Sequence, residues 1–225
     1  MYQQLPSPVS TIKQAFFLVG NRTHFLLYLL LGVIAAAAPL ALTPLAQFIA
    51  TRPRLDGLAF LIILFSLSVF ALAANWFTAV LLTLNYHVAS GQDKPLKDYL
   101  LTGLASLVKL FVTNLAYMAV VALGLFLLLV PGVLFLVWFF FAPTIVVVEG
   151  TGLSAFRQSR QLVTGRYFKV LIRLLTFYAL FAIPNLLLNR INPLLGALWT
   201  VTGPFYSLLY MLLYLDLKRV NTPGQ

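Results

Sequence analysis

The longest apolar stretch of the chain covers residues 107–148. It is interrupted by Lys109 and Asn114 near its start and by Pro131-Gly132 further on. A bilayer core about 30 Å thick needs roughly 20 apolar residues per helix. This stretch therefore predicts two membrane spans, 107–130 and 133–148, joined by a tight turn at Pro131-Gly132. Further apolar stretches predict spans over 24–50, 58–88, 167–188 and 195–215. Proline lacks a backbone donor and clashes with the preceding turn. Pro39 and Pro44 should therefore kink or end the first span, Pro143 should bend the fourth and Pro184 the fifth.

Three segments before these spans carry apolar residues at helical spacing. They are 8–20 (Ile12, Ala15, Phe16, Val19), 96–107 (Leu96, Tyr99, Leu100, Leu104, Leu107) and 152–163 (Leu153, Phe156, Leu162, Val163). In the last, Arg157, Arg160 and Gln161 fall on other faces. Each reads as a short amphipathic helix lying at the membrane interface. The expected fold is all-α: one polytopic membrane domain over residues 1–225. Six transmembrane helices form three hairpins, each preceded by a cytoplasmic interfacial helix. Leu18-Val19-Gly20-Asn21-Arg22 before the first span resembles Leu162-Val163-Thr164-Gly165-Arg166 before the fifth, which suggests an internal repeat.

Composition supports the membrane class. Of the 225 residues, 61% are hydrophobic and only 9% are charged, against about 25% charged in soluble domains. The chain has no cysteine, which excludes disulfides and thiolate metal sites. Its net charge of +10 would suggest nucleic acid in a soluble domain. Here it marks the cytoplasmic side of the helices. Threaded as above, one face takes Lys13, Arg22, Lys94, Lys97, Lys109, Arg157, Arg160, Arg166, Lys169, Arg173, Lys218 and Arg219. The other takes only Arg52, Arg54 and Arg190. This asymmetry predicts that both termini face the cytoplasm. The run 15–20 is too short for a signal peptide, and the sequon at Asn21-Arg22-Thr23 has no meaning on a cytoplasmic face.

An ordered set of short motifs spans residues 90–175. It comprises Ser90-Gly91-Gln92, Val130-Pro131-Gly132, Phe141-Ala142-Pro143, Val148-Glu149-Gly150 and Ala155-Phe156-Arg157-Gln158-Ser159. In order and spacing this set resembles the YciC-like bacterial inner-membrane proteins. It also resembles the related membrane domain fused to some glycerophosphodiester phosphodiesterases. Tyr214-Leu215-Asp216-Leu217-Lys218-Arg219 looks like the ending of that membrane domain. The resemblance implies a six-span fold in the bacterial inner membrane with no assigned catalytic residues. No phosphodiesterase catalytic domain is present, so that activity does not carry over.

The chain has five acidic residues. Asp56 sits beside Arg52 and Arg54. Asp93 and Asp98 flank Lys94 and Lys97, where local pairing accounts for them. Glu149 and Asp216 stand at the cytoplasmic ends of spans. The structural reading is that they clamp the interfacial helices, Glu149 by pairing with Arg157 or Arg160; a proton or cation site is the functional alternative. His24 and His87 lack metal-ligand spacing, and no metal or cofactor is expected. Arg166, Lys169 and Arg173 share a helix face, and Arg157 and Arg160 precede them. Orientation bias accounts for much of this density. The functional alternative is a patch for anionic lipid headgroups. Arg173 lies nearly two turns into the fifth span and must snorkel or find an acid.

Asn75 and Asn114 predict interhelical hydrogen bonds, and Gly32 with Ala36 predicts a close helix approach. Trp76 reads as a packing residue; packing or anchoring would each account for Trp138 and Trp199. Nothing in the sequence assembles a nucleophile with a base. The expectation is a non-enzymatic membrane protein that binds or organises anionic lipids, with no nucleic-acid partner. The alternative is a small transporter or channel for a neutral or lipidic solute.

Overall fold

The structure, a computed structural model, describes residues 5–51, 57–92, 94–127 and 129–221. Arg52, Arg54, Asp56 and Asp93 lie outside the described residues. The described elements are all helical: α1 (Pro8–Val19), α2 (Arg22–Ala37), a 3-10 helix (Ala38–Leu42), α3 (Thr43–Ala50), α4 (Gly57–Ala89), α5 (Leu96–Leu127), α6 (Leu129–Phe139), α7 (Ala142–Glu149), α8 (Ala155–Val163), α9 (Tyr167–Ile191), α10 (Pro193–Thr200) and α11 (Gly203–Asn221). Four continuous stretches are long and apolar enough to cross a membrane: Gly57–Ala89, Leu96–Phe126, Val130–Glu149 and Tyr167–Ile191. Two bent pairs, α1 with α2 and α10 with α11, bring the number to six if each is one span. The protein is a multi-pass helical membrane protein.

Proline sets several boundaries. Pro39 and Pro44 each fall in the first turn of the element that follows, where the missing donor has no intrahelical partner to lose. The first apolar run is therefore not one span over 24–50 but α2, a 3-10 helix and α3 in succession. Pro143 likewise opens α7 after a break at Phe140-Phe141. Pro184, in contrast, lies inside α9, which continues through it to Ile191.

Three expectations fail. The turn expected at Pro131-Gly132 is helix: both residues belong to α6. The return from α5 comes before them because Gly124 faces Gly132. A Cβ on Gly132 would sit 2.7 Å from the Leu125 backbone nitrogen, and one on Gly124 would sit 2.9 Å from the Gly132 Cα. Glycine here provides closeness rather than a turn.

The interfacial helix expected over 96–107 does not exist as a separate element, because α5 runs unbroken from Leu96 to Leu127. No proline divides it, and Gly103, the glycine within that stretch, packs on Val80 and Trp76 of α4.

The third failure concerns α8. Expected as an interfacial helix before the last hairpin, it packs along both α6 and α7. Just beyond it, the Tyr167 hydroxyl donates to the Val133 carbonyl at 3.1 Å. The threading had put Tyr167 and Val133 on opposite membrane faces. A tyrosine side chain cannot bridge a span of that length, so the strict three-hairpin arrangement does not hold there.

The core centres on α11, which packs against α1, α2, α4, α8 and α9. Leu208, Leu209, Met211, Tyr214 and Leu217 are fully or almost fully buried. Gly32 lets α2 lie directly on the α10–α11 joint, since a Cβ there would overlap the Val201 carbonyl. Asn114 Nδ2 donates to Asn75 Oδ1 at 2.7 Å, the expected bond between α4 and α5. Trp76 packs against the core and donates Nε1–H to the Leu100 carbonyl at 3.3 Å.

The two segments that suggested a repeat occupy similar places, since each joins a short helix to a long one and buries its valine, Val19 or Val163. Their backbones differ. Gly20 is right-handed, whereas Gly165 has φ of 83°.

Candidate functional site

The site is built on α8. Its spacing puts Ala155, Ser159 and Val163 on one buried face, four residues apart as a helix requires. Arg157, Arg160 and Gln161 are left exposed. Ser159 has a specific task. Its hydroxyl donates to the Trp138 carbonyl at 2.7 Å and accepts the Phe141 N–H at 3.2 Å. The α6–α7 break frees these backbone groups, and a buried unpaired group costs about 1–3 kcal/mol. Thus α8 closes the break that Pro143 makes. Arg160 lies over the Trp138 ring, 4.7 Å from its centroid, in cation–π geometry.

The five expected lipid-binding cations do not form one patch. Arg166 donates to the Asn221 side-chain oxygen at 2.5 Å, and Asn221 donates to the Leu162 carbonyl at 3.0 Å. This pins the end of α11 to the α8–α9 joint. Arg173 is 9% exposed. Its guanidinium donates to the Lys169 carbonyl at 3.1 Å, the Leu5 carbonyl at 3.3 Å and the Pro6 carbonyl at 2.5 Å. It neither snorkels nor forms an ion pair among the described residues; backbone carbonyls before α1 satisfy it. Arg157 and Lys169 remain exposed, and no described acid pairs with either.

Glu149 pairs with neither Arg157 nor Arg160. Its Oε1 accepts from the Tyr214 hydroxyl at 2.7 Å and from Lys218 Nζ at 2.8 Å. It therefore clamps α7 to α11 rather than to α8. Gly150, at φ of 69°, caps α7 in the left-handed region, which glycine adopts without strain. Its carbonyl accepts from Lys109 Nζ at 2.8 Å. Asp216 is half-buried and feels the charges of Arg219 and Arg173 without a hydrogen bond to either among the described residues. A cleft of about 430 Å³ opens between α7, α8 and α11, lined by Glu149, Gln158, Gln161, Lys218 and Asn221 together with Ile145 and Leu162.

His24 donates from Nδ1 to the Leu18 carbonyl at 3.1 Å. His87 does the same to the Thr83 carbonyl at 2.8 Å, with Tyr86 and Tyr99 edge-on to its ring. Both histidines hold local backbone. Sequence reasoning missed Ser159, whose signal was its place in register with Ala155 and Val163. It also missed a buried polar chain. The Tyr28 hydroxyl donates to Asn85 Oδ1 at 2.5 Å, Asn85 Nδ2 to the Ser207 hydroxyl at 2.7 Å, and Ser207 to the Pro204 carbonyl at 2.6 Å. This chain ties α2, α4 and α11 together.

No family model, curated protein or solved structure matches the chain.

Proposed function

We propose that the protein is a non-enzymatic integral membrane protein that binds anionic lipid headgroups beside α8 and the start of α9. One observation carries this reading. Arg157 and Lys169 are exposed cations without a described acidic partner, and they stand among exposed apolar side chains, Leu153, Phe168 and Ile172. Cations bordered by exposed apolar groups suit the boundary between headgroups and acyl chains. Each such cation near an anionic surface contributes about 1 kcal/mol. Arg160 and Arg166, held by Trp138 and Asn221, flank them, whereas Arg173 serves the fold.

The resemblance to the YciC-like proteins supports a bacterial inner membrane, and the basic residues flanking the first and last apolar runs, Lys13, Arg22, Lys218 and Arg219, support cytoplasmic termini. The test replaces Arg157 and Lys169 with glutamine and counts anionic lipid retained after purification in mild detergent, by native mass spectrometry. Retention should fall while thermal stability stays unchanged. Equal retention in the variant and the wild type would sink the reading.

A further inference from the structure

A second cavity, of about 420 Å³, lies far from the cleft, where α1 and α2 meet at about 100° against the α10–α11 joint. Its wall is largely aromatic: Phe16, Phe25, Trp199, Phe205 and Tyr206, with the Phe16 and Phe205 centroids 4.7 Å apart. Each polar side chain on this wall is already committed elsewhere. The Tyr28 hydroxyl donates to Asn85 Oδ1, and Trp199 Nε1–H to the Phe181 carbonyl at 3.0 Å. Thr202 donates to the Trp199 carbonyl at 2.7 Å and Tyr206 to the Leu180 carbonyl at 3.4 Å.

Water in a cavity needs about two to four polar partners, and the lining, almost wholly apolar, offers it few. The mouth is bordered by exposed apolar residues, Phe16, Phe25 and Leu29. In a membrane protein, such a mouth faces acyl chains. The volume accommodates about one turn of a helix roughly 10 Å across, too little for a partner helix to dock. A flexible hydrocarbon chain fits both the volume and the dryness.

We propose that this cavity holds one acyl chain of a membrane phospholipid. The chain is selected by shape and apolarity, and the headgroup is left outside. The site is independent of Arg157 and Lys169. The experiment therefore uses phosphatidylcholine, which carries no net charge. Delipidated wild-type protein in detergent is titrated with it and examined by native mass spectrometry. A preferred stoichiometry of one lipid per chain is expected.

Leu29→Trp fills the mouth from an exposed position, so it should leave folding intact, checked by circular dichroism and thermal unfolding. It should weaken the adduct about tenfold or more, a loss of about 1.4 kcal/mol. Leu29→Ala, which leaves the mouth open, should retain it. The Arg157→Gln, Lys169→Gln double variant should also retain it, even where its hold on anionic lipid is lost. Adducts with no preferred stoichiometry, or an adduct unchanged in folded Leu29→Trp, would overturn the proposal. Should Leu29→Trp fail to fold, the wild-type stoichiometry and the Leu29→Ala result decide the matter.

Discussion

The two halves of α4 belong to one unbroken helix and are opposite in environment. In the first half, Leu61 is 60% exposed and Phe65 72%. In the second, Leu84 is 1% exposed and Asn85 is fully buried. The buried half is also the more polar, holding Thr83, Asn85 and His87. A soluble helix does the reverse. In lipid the hydrophobic effect does not drive helices together, so packing and interhelical hydrogen bonds decide which surface is buried. The polar side chains of the exposed half confirm this. Ser66 and Ser68 donate to the carbonyls four residues back, at 2.8 and 2.7 Å, and so need no neighbour. Asn85 reaches two other helices.

The largest expected effect contrasts Leu84→Ala with Leu61→Ala. Truncating the buried leucine should cost about 2–5 kcal/mol, while the exposed one should change stability by less than about 0.5 kcal/mol. Equilibrium unfolding in mixed micelles reads both, and similar losses would break the comparison. Next comes Asn85→Leu, which strands the Tyr28 and Ser207 hydroxyls and should cost about 1–3 kcal/mol. Ser66→Ala and Ser68→Ala, measured alongside, should be near neutral.

Ser159→Ala extends the same logic to the α6–α7 break. It should cost about 1–3 kcal/mol and speed hydrogen exchange at the Phe141 amide, an effect that loss of packing elsewhere would not localise there. The smallest effect is Asn114→Ala. Its bond to Asn75 joins helices that already pack closely, and its loss should cost about 0.6 kcal/mol. A loss as large as that of Asn85→Leu would show that burial is not what distinguishes the two asparagines.

Much of the fold was legible because its signals are local. Pro39, Pro44 and Pro143 mark element starts wherever they fall, and the Asn75–Asn114 pair announced itself by polarity within apolar runs. The Pro131-Gly132 turn misled because the same two residues serve a different purpose. Pro131 is tolerated in the first turn of α6, and Gly132 gives Gly124 room. The candidate site was legible as positive charge but not as pairing. Arg173 looked like a lipid ligand or the partner of an acid, yet it binds Leu5 and Pro6, more than 160 positions away. Glu149 stands six residues before α8 and yet pairs with Lys218.

The sequence alone determined the solvent of this protein, its helical class and the ends of several helices. Those follow from apolar run length, from proline and from the scarcity of charge, which act over a few residues. Only the tertiary structure decided which half of α4 is buried, which cations are committed to the fold and which are left to meet a ligand. In a chain this apolar, hydrophobicity does not separate the core face from the lipid face. What separates them is close packing and hydrogen-bond partners brought together from distant positions.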